Sequence, residues 1–293
     1  VNSINWARVM VQTTYYFTAA AQLGSPDTSV GFSVPTGNFG DIFAGYVAAQ
    51  MGLPVARLMI ATNVNDILAR VMRAGIYETE EVIATSSPSM DIQLSSNFER
   101  LLFELTRRDA PRVSGFMDAL ARDGRFEMAE DEVALMSALF DAARVDEAQT
   151  QETMRDVLKR FDMQIDPHTA VGLAAARRAL LPDGVPMVTL ATAHPAKFPV
   201  AVEAAFGTGP DIPVRVREMM EQPERLSPVA NELGAVQTFI RQNETLGSSP
   251  VAHLRDRTRR ILCDRHRGLV HQTDAFKQSR NARLPVSRRF ETE

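Results

Sequence analysis

The segment Ser33-Val34-Pro35-Thr36-Gly37-Asn38-Phe39-Gly40-Asp41 gathers the residue types from which a protein builds an anion site. The apolar run Val30 to Val34 predicts a short buried strand. Pro35 and Gly37 end it, and Asp41 to Met51 predicts a helix. A strand, a glycine turn and a helix start leave unpaired N–H groups at the positive end of the helix dipole, where a phosphate is favoured. Glycine also lets the backbone approach the oxygens closely. The loop holds no Lys and matches neither G-x-x-x-x-G-K-S/T nor G-x-G-x-x-G, which argues against a nucleotide or dinucleotide. It suits one phosphate monoester, with Thr36, Gly37, Asn38, Phe39, Gly40 and Asp41 as its binding residues. A tight strand-to-helix turn without a ligand accounts for the loop about equally well.

A second segment, Val188-Thr189-Leu190-Ala191-Thr192-Ala193-His194-Pro195-Ala196-Lys197-Phe198, is another buried strand running into a turn. Pro195 suits the first position of a following helix. In open α/β sheets, groups at the C-terminal ends of strands face the ligand crevice. The phosphate of pyridoxal 5'-phosphate suits the first loop, and Thr192 then donates to the ring nitrogen of the same cofactor. A hydroxyl partner leaves that nitrogen largely neutral.

Six segments, in order, give the chain a resemblance to a known family. They are Asn2-Ser3-Ile4-Asn5-Trp6-Ala7-Arg8, Pro35-Thr36-Gly37-Asn38-Phe39-Gly40-Asp41 and Ala61-Thr62-Asn63-Val64-Asn65-Asp66. Then come Ser89-Met90-Asp91-Ile92 with Ser95-Ser96-Asn97-Phe98-Glu99-Arg100, Pro167-His168-Thr169-Ala170-Val171-Gly172 and Thr192 to Phe198. Over roughly residues 1 to 243 the chain resembles the C-terminal part of threonine synthase, a pyridoxal-phosphate enzyme of the tryptophan-synthase-β-like fold. The resemblance implies conversion of O-phospho-L-homoserine and water to L-threonine and phosphate. It assigns the cofactor to residues 36–41 and Thr192, and the substrate to Asn2, Ser3, Asn5 and Arg8. Without it, capping of a helix start explains Ser3 well and Arg8 poorly.

One departure stands out. The family's Schiff-base lysine lies in a Phe-Lys-Asp setting upstream of the Asn-Ser-Ile-Asn segment, and this sequence begins almost at that segment. Its three lysines are Lys159, Lys197 and Lys277, none in that setting. Ala275-Phe276-Lys277 is followed by Gln278 and reads as coincidence. The expectation is a truncated chain with no resident catalytic residue, whose own activity stays an open question. Two alternatives stay open: another pyridoxal-phosphate-dependent phospho-lyase of the same fold, and a non-catalytic binding module.

The elements that must position these groups alternate. Strands are expected at Val30–Val34, Val55–Ala61 and Met187–Ala191. Helices are expected at Ser3–Ala21 (capped by Asn2 or Ser3), Asp41–Met51, Asn65–Arg73, His168–Leu181 and Pro195–Phe206. Such alternation predicts an α/β fold with a mainly parallel sheet and helices on both faces. Residues 97–162 read as helical throughout, an excursion with periodic Leu101, Leu102, Leu105, Val133, Leu135, Met136, Leu139 and Phe140. The expected organisation is a cofactor-binding part over 1–206, a helical extension over 207–245 and a basic tail, disordered or fortuitous, over 246–293. Other polar groups have ordinary readings. Asn63, Asn65 and Asp66 suit a turn as well as a ligand edge, Ser96, Asn97 and Arg100 suit a cap and a surface Arg, and His168 suits a helix start.

At 293 residues, with 45% hydrophobic and 23% charged side chains, the composition is that of an ordinary globular protein. A net charge of −4 gives no hint of nucleic acid, although residues 246–293 carry eleven Arg or Lys against five Asp or Glu. The single cysteine, Cys263, excludes an internal disulfide and suits a cytoplasmic protein. No run reaches membrane length, and the five histidines and Cys263 show no metal spacing. The resemblance implies a small-molecule partner, O-phospho-L-homoserine, and no nucleic acid or membrane is expected.

Overall fold

The computed structural model describes residues 4–224 and 226–243. One compact unit runs to Met219 and a second begins at Met220. In the first unit the elements are α1 (Trp6–Gln22), β1 (Val30–Pro35), α2 (Gly40–Gln50), β2 (Val55–Thr62), α3 (Ile67–Ala74), β3 (Ile76–Glu78), α4 (Phe98–Leu105), α5 (Ala110–Asp123) and β4 (Arg125–Glu127). They continue with α6 (Glu130–Leu139), β5 (Phe140–Arg144), α7 (Glu147–Phe161), α8 (Pro167–Ala176), β6 (Met187–Thr189), α9 (Pro199–Phe206) and α10 (Val214–Met220), the last reaching the boundary. The second unit contributes α11 (Leu233–Asn243) among the described residues.

All four strands of the main sheet are parallel, in the order β5-β2-β1-β6. Every residue of β1 is buried, as a central parallel strand covered on both faces requires. Alternation along the strands sorts the two faces. Phe32, Val34, Leu58 and Ile60 pack with Tyr16 of α1 and Ile42 and Phe43 of α2 in one core cluster. Met59 and Ala61 point the other way and pack with Val171, Ala174 and Ala175 of α8. Gly172 permits the close seating of α8: a Cβ there would lie 3.0 Å from Pro35 Cγ and Thr189 Cγ2. Ser33 Oγ donates to Gly172 O at 2.6 Å, so β1 and α8 are pinned together beneath the anion loop.

The strand expectations hold as neighbours of one parallel sheet, although β6 ends at Thr189. The all-helical reading of 97–162 does not hold. Phe140–Arg144 is the edge strand β5, and Arg125–Glu127 pairs antiparallel with β3. The side chain of Phe140 is buried beside Phe39 and Tyr46, with ring centroids 5.8 and 6.1 Å away, while Leu135 is exposed. Pairing with β2 overrides the helical bias of Ala142 and Ala143, which local periodicity cannot register. The cap of α1 is Asn5, whose Oδ1 accepts from Ala7 N at 3.0 Å; Asn2 and Ser3 lie outside the described residues. Pro195 opens a 3-10 turn to Lys197, and α9 begins only at Pro199. Cys263, Lys277 and the basic segment 246–293 also lie outside the described residues. Among the described residues no helix is long and apolar enough to cross a membrane, and no group of acidic, His or Cys side chains could hold a metal.

Candidate anion and cofactor site

A cleft of about 580 Å³ opens at the C-terminal ends of β1 and β6. Thr36, Gly37, Asn38, Phe39, Gly40, Asp41 and Thr192 all line it, so the two segments singled out in the sequence share one cavity. Arg8 lines it too, from the first turn of α1. Asn5 does not; it is spent as the cap.

The loop ends with Phe39 in the left-handed region (φ 63°, ψ 3°), unusual for a bulky residue. Its ring is buried, edge-on to Phe98 at 5.3 Å, and that packing holds the conformation. No side chain caps α2. The first helical amide with an acceptor is Phe43 N, bonded to Phe39 O at 3.0 Å. Among the described hydrogen bonds, the amides of residues 37–42 have no protein acceptor. Successive amides through a left-handed residue form a concave anion nest. Gly37 has a reason beyond approach to an anion. A Cβ there would lie 2.5 Å from Ser89 O and 3.3 Å from Met90 Cα, so the loop is a glycine because the 89–90 backbone lies against it.

Asp41 sits in the first turn of α2. Burial pushes its carboxyl up to about 6, and a hydrogen bond from Tyr16 opposes that rise. Tyr16 OH donates to Asp41 O at 2.8 Å and lies 3.4 Å from its Oδ1. Burial first, and Asp41 second, push the Tyr16 hydroxyl well above the ordinary range.

Ser89, Met90 and His168 form another wall of the cleft. Asp166 caps α8, accepting from His168 N at 2.9 Å, Thr169 N at 3.2 Å and the Thr169 hydroxyl. Burial alone would raise its carboxyl; hydrogen bonds from His168 and Thr169 outweigh this and hold it below the ordinary value. His168 Nδ1 lies 2.8 Å from Asp166 Oδ2, and His168 Nε2 accepts from Ser89 N at 3.2 Å. Both ring nitrogens are thus engaged within the wall, Nε2 by the Ser89 amide and Nδ1 by the Asp166 carboxylate.

Of the remaining described candidates, only Lys197 lines the cleft. Asn63 and Asn65 are buried, donating to Asp91 Oδ1 at 2.7 and 3.1 Å. Asp66 pairs with Arg70 at 3.1 Å, Arg73 at 3.6 Å and Arg144 at 3.7 Å. None of these lines the cleft; they fix the 83–91 segment and the start of α3. Asn97 makes no capping bond for α4; its Nδ2 donates to Asn38 O at 2.9 Å. Arg100 donates to Asn97 Oδ1 at 3.1 Å rather than standing as a surface Arg. Lys197 lines the cleft but is exposed, its Nζ 5.8 Å from the Phe198 ring centroid; His194 holds its turn by accepting from Ala196 N at 3.1 Å. Gln12 and Tyr15 also line the cleft, with signal in the i, i+4, i+7 spacing from Arg8.

A family model described as "Threonine synthase, C-terminal" matches residues 169–240. Threonine synthase of Pseudomonas aeruginosa is 50% identical over 248 residues, which cover 84% of this chain and 53% of that protein. The Saccharomyces cerevisiae threonine synthase is 40% identical, over 80% of this chain and 49% of that protein. The crystal structure of pyridoxal-phosphate-bound threonine synthase from Brucella melitensis superposes with a TM-score of 0.79 at 51% identity, over 83% of this chain and 52% of that one. This chain spans about half the length of the curated relatives it matches.

Proposed function

We propose that this chain, which belongs to the threonine synthase family, forms the phosphate-holding wall of a pyridoxal 5'-phosphate site in a protein converting O-phospho-L-homoserine and water to L-threonine and phosphate. The observation that carries this reading is the uncapped start of α2, whose residues line a cleft that Thr192 also lines. The donor set fits a phosphate monoester: neutral amides at a helix N-terminus, with the cations Arg8 and Lys197 lining the same cleft. When bound, the cofactor supplies an electron sink for the carbon skeleton of an amino acid. Residues 36–41 hold its phosphate, and Thr192 holds its ring nitrogen. Arg8 is the cation suited to a second phosphate, that of the substrate. His168 fixes the wall and moves no proton. In this reading residues 1–206 belong to the cofactor-binding part, 207–245 form a helical extension, and the setting is the cytoplasm.

Of the described lysines, Lys159 lies on α7 away from the cleft and Lys197 is exposed. A covalent tether needs an activated, desolvated amine, so neither is expected to tether the cofactor. The test is equilibrium binding of pyridoxal phosphate to the 293-residue chain, followed by borohydride reduction and peptide mapping. Weak, salt-sensitive uptake that pyridoxal does not match, without stoichiometric labelling of a lysine, is expected. Equal uptake of pyridoxal would overturn the phosphate-site reading. Stoichiometric labelling of Lys197 with threonine formation from O-phosphohomoserine would show that this chain alone carries the full reaction.

A further inference from the structure

We infer that Ser95 and Asn97 are positioning residues that aim the anion cup, an assignment that rests on the phosphate-site reading above. In a trans peptide the C=O of one residue and the N–H of the next point in opposite directions. Fixing two consecutive carbonyls from outside therefore fixes where the following two amides point. Ser95 Oγ donates to Gly37 O at 2.8 Å. Asn38 O accepts from both Asn97 N at 3.0 Å and Asn97 Nδ2 at 2.9 Å. Three donors from 95–97 thus draw the 37 and 38 carbonyls away from the cleft, and the amides of Asn38 and Phe39 face into it.

The donors are themselves held. Ser95 N donates to Tyr77 OH at 2.8 Å, and Tyr77 stacks on Phe98 at 5.5 Å. Arg100 Nε occupies Asn97 Oδ1, so the amide of Asn97 cannot flip and offer an oxygen to Asn38 O. The same guanidinium donates to Ile4 O at 2.7 Å and lies 5.4 Å over the Trp6 ring, which ties the cup to the helix that carries Arg8. Asn97 is fully buried and Ser95 nearly so. Neither lines the cleft, so neither touches a ligand and both act through the backbone of residues 37–39.

The test compares dissociation constants for pyridoxal phosphate and pyridoxal on the full chain, with thermal melts confirming folding. Ser95→Ala and Asn97→Ala each weaken pyridoxal phosphate about 10-fold, the effect of a misaimed donor worth about 1.4 kcal/mol. Pyridoxal binding stays unchanged, and Ser95→Thr, which keeps the hydroxyl, retains the wild-type ratio. Arg100→Ala leaves the buried pair in place and should cost about 3-fold through loss of the amide lock; it carries the test where a buried variant fails to fold. Wild-type affinity in folded Ser95→Ala and Asn97→Ala, or equal loss for both ligands, would overturn the positioning role alone. A wild-type chain that does not distinguish the ligands would overturn the site reading together with it.

Discussion

Two helix starts face the same cleft and are finished in opposite ways. At α8 the chain satisfies itself: Asp166 takes the His168 and Thr169 amides and also holds the His168 ring. At α2 the preceding residue is a buried phenylalanine in a left-handed turn, with no side-chain acceptor. Their charges follow suit. The carboxylate at α8 is held below its ordinary range by the donors around it, whereas the one beside the α2 start, Asp41, is pushed by burial to about 6. The contrast separates scaffold from receptor. A capped N-terminus has spent its donors on the fold, and an open one keeps them for an anion.

The largest expected effect breaks the closed start. Asp166→Ala removes a cap and leaves His168 without its partner, so urea unfolding should show a loss of about 2–4 kcal/mol. A loss under about 0.5 kcal/mol would show that α8 does not depend on its cap. Gly37→Ala comes next. The added Cβ meets the Ser89 carbonyl, so overpacking of about 1–3 kcal/mol and roughly 10-fold weaker pyridoxal phosphate binding are expected. Unchanged binding would mean that the loop can shift off 89–90 without cost. This substitution acts through packing against Ser89, not by crowding a ligand.

The pH response sharpens the same comparison. Asp166 has a lowered folded-state value, so its contribution is present above the ordinary carboxylate pKa and is lost as pH falls through the folded value. Asp41 has the reverse sign. Its folded value of about 6 exceeds the ordinary 3.8, so stability falls as pH rises from about 4 to 6, and the ionised group carries a cost above that window. Asp41→Asn should therefore raise the melting temperature at pH 8 and leave it nearly unchanged below pH 4. Asp166→Asn should lower it at pH 7, and the deficit should shrink in acid. Equal shifts at both ends of the range would refute this assignment for either residue. The smallest effect is at the cleft mouth, where Lys197→Ala and Arg8→Ala, both exposed, should weaken phosphate binding only a few-fold and vanish in high salt.

The sheet was legible where a strand carries its own signal. Val30–Val34 runs up to Pro35, Val55–Ala61 follows Pro54 and is apolar but for Arg57, and the two pair as expected. Phe140-Asp141-Ala142-Ala143-Arg144 has no such signal; it becomes a strand because β2 offers an edge and Phe39 and Tyr46 offer the phenylalanine a partner. The loop 36–41 and Thr192 were found from glycine and strand-end logic and do meet in one cleft. What stayed hidden was long-range. Nothing local says that Ser95 bonds to Gly37 across 58 positions, or that His168 bonds to Ser89 across 79. Polar residues such as Asn63 and Asn65 resemble site residues in sequence because buried networks use the same side chains as binding sites.

Amide NMR of the full chain during titration with pyridoxal phosphate tests the open-start account most directly. Saturable shifts are expected at the amides of residues 38–42, with His168 and Thr169, already bonded to Asp166, nearly unmoved. Shifts centred on His168 and Thr169, or none at 38–42 while the ligand binds, would contradict it.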